Sequence, residues 1–241
     1  MCESKIPKRG LRKPFFLFVF YLGLTFTAPG CGSDADLPII KIKNSLEEIP
    51  TYSIVLENMK EEGNFVNSYY HKYRIVRPEG AETTDWLQVP ESYYQRNEDF
   101  LGMTIFAKKE GIPDEDVTPP GYLYVGDPRY GQWQNDGHGG SYWAFYGKYR
   151  LMTDLFGGWY RPVYDLDFDA YKKFKQRKVP YYGLKNQYGT SGTIVRETKP
   201  DFYSRYAARQ KVKTASFTDK VSNRIGRTRT SLRSRSGGRG K

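Results

Sequence analysis

Cysteine, histidine and long apolar runs are all scarce in this 241-residue chain, and each scarcity closes off a class of protein. Cys2 and Cys31 are the only cysteines, and cleavage before Cys31 would leave one. A fold of this kind holds by burial alone, without an internal disulfide. The only histidines, His71 and His138, have no second histidine or cysteine near them in sequence, so no metal-ligand spacing is present. The longest apolar run, Phe15 to Ala28, has 14 residues. As a helix it would reach about 21 Å at about 1.5 Å per residue, short of the roughly 30 Å hydrocarbon core that a permanent span must cross. Gly121 and Gly126 stand five apart without the Lys-Ser/Thr ending of a phosphate-binding loop, which excludes a nucleotide site there. Asp165, Asp167 and Asp169 alternate as in a calcium loop, but Ala170 stands where glycine is needed and Gln176 where glutamate is needed. No cofactor or metal is expected.

What is present begins with five cations, Lys5, Lys8, Arg9, Arg12 and Lys13, placed just before the apolar run. Pro29, Gly30 and Cys31 follow it. That succession is the layout of a removable export signal. The ending Ala28-Pro29-Gly30-Cys31 resembles the lipobox of bacterial lipoproteins, with Ala28 standing where that family usually has a leucine-like residue. The resemblance covers residues 1–31. It implies that residues 1–30 are removed, that the Cys31 thiol is acylated with palmitate-like chains, and that the protein sits in the cell envelope. No aspartate directly follows Cys31 in Gly32-Ser33-Asp34, which by the same resemblance implies the outer membrane in a diderm bacterium. Several acyl chains on one terminus give stable anchoring.

The formal net charge of +11 is unevenly placed. Residues 196–241 hold 14 Lys/Arg against 3 Asp/Glu, whereas residues 31–195 hold 19 against 23. A mildly acidic body therefore carries a strongly basic tail. The expected division is a signal at 1–30, a leader at 31–48, a globular domain at 49–195 and a low-complexity tail at 196–241. Pro38 in the leader limits Leu37-Pro38-Ile39-Ile40 to an edge strand at most. From Lys213 onward the tail has too little to bury to repay the entropy of ordering, so disorder is expected, with Phe202, Tyr203 and Tyr206 docking its first turn. Behind an export signal the tail's expected partners are anionic envelope polymers or lipid headgroups. The nucleic acid that such Arg-, Ser- and Gly-rich sequence would suit belongs to a cytosolic chain.

Within the domain, Tyr52 to Met59 alternates in polarity, and Phe65 to Val76 alternates more clearly, with Glu61-Glu62-Gly63-Asn64 between them. An antiparallel hairpin is predicted. A third strand is expected at Met103 to Ala107 and a short helix from Pro90-Glu91 to Glu98. Tyr142, Phe145, Tyr146, Tyr149, Met152 and Phe156 recur at intervals of three and four, which predicts a helix from Ser141 to Phe156 packed across the sheet. Gly147 inside it points to close contact with another backbone. Asp167 or Asp169 is expected to cap a further helix that ends before Val179-Pro180. The predicted class is α+β: an antiparallel sheet with one or two helices on one face and long Gly-, Pro- and aromatic-rich loops.

From Tyr122 to Tyr188 there are 19 aromatic residues against nine Leu, Val and Met. The bland reading is a loop-rich core fastened by tyrosine hydroxyls. The sharper one is a stacking surface for sugars or a protein partner built from Tyr122, Tyr124, Tyr130, Trp133, Trp143 and Trp159. Asp136 and His138 share a Gly-rich loop and are the candidate pair for an envelope hydrolase, a weak signal without a nucleophile motif. His71, on a mostly apolar strand face, reads as a core histidine. The leading expectation is a noncatalytic envelope lipoprotein that binds or scaffolds.

Overall fold

The computed structural model describes residues 36–63, 66–150 and 152–228. The export signal, Cys31, Phe65 and the end of the basic tail lie outside them. Strand β1 (Tyr52–Glu62) is the centre of a six-stranded, wholly antiparallel sheet. It pairs with β2 (Ser68–Arg77) in the predicted hairpin and, on its other edge, with β5 (Thr104–Lys109). The long β2 then pairs with β3 (Gly80–Thr83) along Arg74–Arg77 and with β4 (Leu87–Val89) along Tyr69–His71. Strand β6 (Ile112–Asp114) closes the other side against β5.

Both faces of β1 are covered, because Tyr52, Ser53, Ile54, Val55, Leu56 and Glu57 are all buried. Side chains alternate across a strand, so these six divide between two layers. On one face Tyr73 stands opposite Leu56, and α2 (Glu91–Arg96) brings Tyr93 and Tyr94 over His71 and Tyr69. On the other, Tyr124 meets Ser53 through hydroxyls 3.2 Å apart, and Trp159 donates its indole N–H to Glu57 at 2.7 Å. Helix α2 covers part of the first face, and an aromatic layer rich in loops covers the second. The architecture is α+β, as the alternating runs predict.

Three expectations need correction. The segment read as an edge strand is helix α1 (Pro38–Ser45), with Pro38 in its first turn, where a missing N–H costs nothing and the fixed φ suits the helix. Leu37, Ile39, Ile42 and Leu46 put one stripe of that helix into the core. The helix predicted from Ser141 to Phe156 is absent. Strands β7 (Gly131–Asn135) and β8 (Ser141–Phe145) form a separate hairpin, followed by a 3-10 turn at Gly147–Tyr149 and the single helical turn α3 (Met152–Leu155). Aromatics suit a pleated half-buried surface, and Trp143 directly opposite Trp133 supplies the cross-strand pair that holds the register. A Cβ on Gly147 would touch nothing within 4 Å, so the close backbone contact expected there does not exist. Gly131 is the glycine that an approach requires: a Cβ there would lie 2.3 Å from the Ala144 carbonyl oxygen and 2.8 Å from the Trp143 indole nitrogen.

The third correction concerns the tail. Helix α4 (Asp165–Gln176) is present, but its N-cap is Tyr164, and neither Asp167 nor Asp169 caps it: Asp167 lies inside the helix and turns into the core. After it come α5 (Thr193–Thr198) and α6 (Pro200–Thr228), which is 29 residues long and runs through the segment expected to be disordered. Residues 200–228 spend few of their side chains on the body, and this is why composition misleads. Phe202 and Tyr206 are buried and stack with centroids 6.2 Å apart, and Arg209 pairs with Glu61 at 2.5 Å. From Lys211 to Ser222 every residue is exposed.

Two buried carboxylates tie the loop layer down. Glu57 accepts from Arg74 Nε at 3.0 Å and Trp159 Nε1 at 2.7 Å and pairs with Lys199 Nζ at 3.2 Å, so one side chain joins β1, β2, the loop layer and the α5–α6 junction. Burial pushes its carboxyl upward, but the hydrogen bonds from Arg74 and Trp159 outweigh it and hold the group below its ordinary value. Asp167 accepts the Tyr122 hydroxyl at 2.5 Å, the Tyr181 hydroxyl, and the Leu184 N–H at 3.2 Å. Burial in that cluster raises Tyr122, Tyr181 and Tyr188 well above the usual phenol range, so all three stay neutral, and Tyr122 and Tyr181 donate to Asp167.

Candidate functional site

The hairpin β7–β8 carries the Asp136–His138 loop and borders a cleft. Its turn is made by Asp136, whose Oδ1 accepts the backbone N–H of His138 at 2.8 Å and of Gly140 at 3.0 Å. Gly137 and Gly139 supply positive φ angles of 79° and 91°. On one face of the hairpin Trp133, Trp143 and Phe145 turn towards α4 and the loop layer, with Trp133 against Phe168 at 5.8 Å and Phe145 against Tyr160 at 6.1 Å. The outer edge of β8 is bridged to the following loop by the Trp143 N–H, which donates to the Val163 carbonyl at 2.8 Å.

Between β8 and residues 150–162 lies a cleft of about 680 Å³. That volume lies inside the range of roughly 300–1,000 Å³ typical of small-ligand sites. Tyr142, Trp143, Phe145 and Tyr160 supply aromatic surface, and Gln134, Arg150, Thr153, Asp154 and Arg161 supply polar groups. Arg161 is held in place, donating from Nη1 to the Gly158 and Tyr160 carbonyls at 2.7 and 2.9 Å and from Nη2 to Glu197 at 2.9 Å. Tyr142 donates its hydroxyl to Gln134 Oε1 at 2.9 Å, which sets the amide's orientation at the rim. Burial raises the Tyr160 hydroxyl to about 12, so it too remains a neutral donor. Rings for stacking and fixed hydrogen-bonding groups thus meet in one concave surface.

The residues singled out from sequence are placed differently. Of the six aromatics proposed as a stacking surface, Tyr122, Tyr124, Tyr130, Trp143 and Trp159 are buried, and Trp133 alone is exposed, at 37 %. The surface expectation is corrected accordingly: five of these rings pack the core, because residues 122–188 offer few aliphatics with which to do so. Trp143 alone of the six also borders the cleft. Helical spacing over 141–156 spreads the other cleft residues of that segment around a helix and gives them no common face. The alternation of Tyr142 and Ala144 with Trp143 and Phe145 was the signal that could have found them.

Asp136 is occupied by the backbone of its own turn, and His138 is exposed at the turn's tip. This is an arrangement for shaping a hairpin. His71 is fully buried, with Nδ1 3.0 Å from the Tyr73 hydroxyl and Nε2 without a hydrogen-bond partner. Burial lowers it from the ordinary 6.5 to about 4. Among the described residues no three His, Cys, Asp or Glu side chains are grouped to hold a metal ion, and no helix is long and apolar enough to cross a membrane. Cys31 lies outside the described residues. In comparisons with protein-family models, with curated proteins and with solved structures, the chain matches none.

Proposed function

We propose that this chain is an envelope lipoprotein, tethered through acylated Cys31, whose α+β domain binds a saccharide of the envelope without transforming it. The tether is supported by the order of cations, short apolar run and Ala28-Pro29-Gly30-Cys31. The observation that carries the binding role is the cleft beside β8. Its aromatic faces suit the apolar faces of sugar rings, and Gln134, Arg150 and Asp154 suit hydroxyls at their edges. Asp136, the candidate acid–base group, already accepts two backbone hydrogens, which favours binding over hydrolysis.

Titration of the chain with soluble oligosaccharides released from bacterial cell wall tests this reading. Saturable binding is expected, weakened about tenfold or more in Tyr142→Ala and Arg150→Ala, as loss of roughly 1.4 kcal/mol or more at a contact implies. His138→Ala should bind as the parent does. Binding unchanged in both cleft variants would remove the cleft from the account, and turnover of the saccharide that is lost in His138→Ala would replace it with the hydrolase reading.

A further inference from the structure

The cleft beside β8 holds two charges that the rest of the chain leaves unanswered. Of the guanidinium groups around it, Arg161 is bound to Glu197 and to two carbonyls, and Arg74, 3.4 Å from where a Cβ on Gly157 would stand, is bound to Glu57. Arg150 makes no ion pair and no side-chain hydrogen bond among the described residues. Asp154 has only the Thr153 hydroxyl, 3.5 Å from its Oδ1. The two stand four residues apart, a spacing at which opposite charges on a helix commonly meet. They do not pair with each other, and both line the cleft that also presents the rings of Tyr142, Phe145 and Tyr160. One unanswered cation and one unanswered anion thus share a concave aromatic surface.

We infer that the cleft takes a saccharide carrying both a carboxylate and an ammonium group, the carboxylate paired with Arg150 and the ammonium with Asp154. The inference rests on the saccharide reading above and narrows it to one chemical class. An uncharged sugar would cover both side chains and pair neither, and a charge drawn out of water without a partner opposes binding. A ligand with a carboxylate or phosphate alone would answer Arg150 and set its own negative charge beside Asp154. An amine alone reverses that fault. A ligand with both groups answers both charges, so the pair of side chains selects it over the other three kinds. The guanidinium offers a carboxylate two parallel N–H donors, and the aromatic walls exclude part of the water that makes a fully exposed ion pair weak.

Titration of the full chain with four monosaccharides, followed by NMR at about pH 6 where carboxylates are ionised and the sugar amines protonated, tests this. Muramic acid carries both groups, N-acetylmuramic acid the carboxylate alone, glucosamine the ammonium alone, and N-acetylglucosamine neither. Muramic acid is expected to bind roughly tenfold or more tightly than each of the others, as one added charge pair implies. In Arg150→Gln its advantage over glucosamine should vanish, and in Asp154→Asn its advantage over N-acetylmuramic acid should vanish. Both changes fall at exposed positions, so the sheet amides should keep the parent spectrum. Equal affinity for all four sugars would overturn the inference, as would a charge preference that survives in either variant. Where cell-wall oligosaccharides bind in the cleft and muramic acid is not preferred, this inference falls and the saccharide reading stands. Where no saccharide binds at all, both fall.

Discussion

His71 shows how one side chain couples the sheet to its covering helix. It sits between Tyr73 of its own strand and Tyr93 and Tyr94 of α2, with ring centroids 5.4 to 5.8 Å apart. Burial therefore disfavours the imidazolium and lowers the folded-state value from 6.5 to about 4. In the unfolded chain the ring protonates near 6.5, so below that pH the unfolded state binds the proton more readily. Its contribution is complete above about pH 6.5 and is lost as pH falls towards 4, with a loss of up to about 3 kcal/mol. Denaturant midpoints measured from pH 7 to pH 4 should fall steeply in the parent and less steeply in His71→Phe. Equal slopes would mean that the ring is solvated. Glu57, held below its ordinary value, adds a second acid-sensitive contribution at lower pH, lost as its carboxyl protonates and its bonds to Arg74 and Trp159 weaken.

At the scale of elements, α6 divides into a docked part and a projecting part, and the two should respond differently to truncation. Removing residues 216–241 takes away no buried side chain described here and should leave the unfolding free energy within about 0.5 kcal/mol of the parent. Removing everything after Lys199 strips Phe202 and Tyr206 from the core and should cost about 3 kcal/mol or more, from roughly 1.5 to 3 kcal/mol per large side chain. A large cost for the shorter cut would show that the projecting part packs on something. The same division explains what was legible in sequence. Strands β1, β2 and β5 and helices α2 and α4 were readable because their polarity patterns have one period and their ends carry turn or capping residues. Helix α1 was hidden by Pro38, which is equally at home on a sheet edge and at a helix start. Strand β8 was hidden because an aromatic cluster such as Tyr142–Tyr149 satisfies both spacings, and only pairing with β7 decides between them. Most of α6 is helix that covers little, which composition alone cannot distinguish from a solvated arm. The cleft was legible only as an excess of aromatics, since most of those rings fill the core and the residues that line it come from a segment whose type was misread.

For the whole molecule the charge division acquires a structural form: a mildly acidic sheet domain, with acids such as Glu57 and Asp167 spent inside it, followed by a basic segment of which α6 forms the described part. The central claim is that the chain is anchored through Cys31, and its most direct test is the intact mass of the protein extracted from bacterial membranes. The account predicts a chain lacking residues 1–30 whose N-terminal Cys31 bears acyl chains, and in Cys31→Ser an unacylated precursor of full length. A soluble protein that retains Met1 and carries an unmodified Cys31 thiol would contradict it.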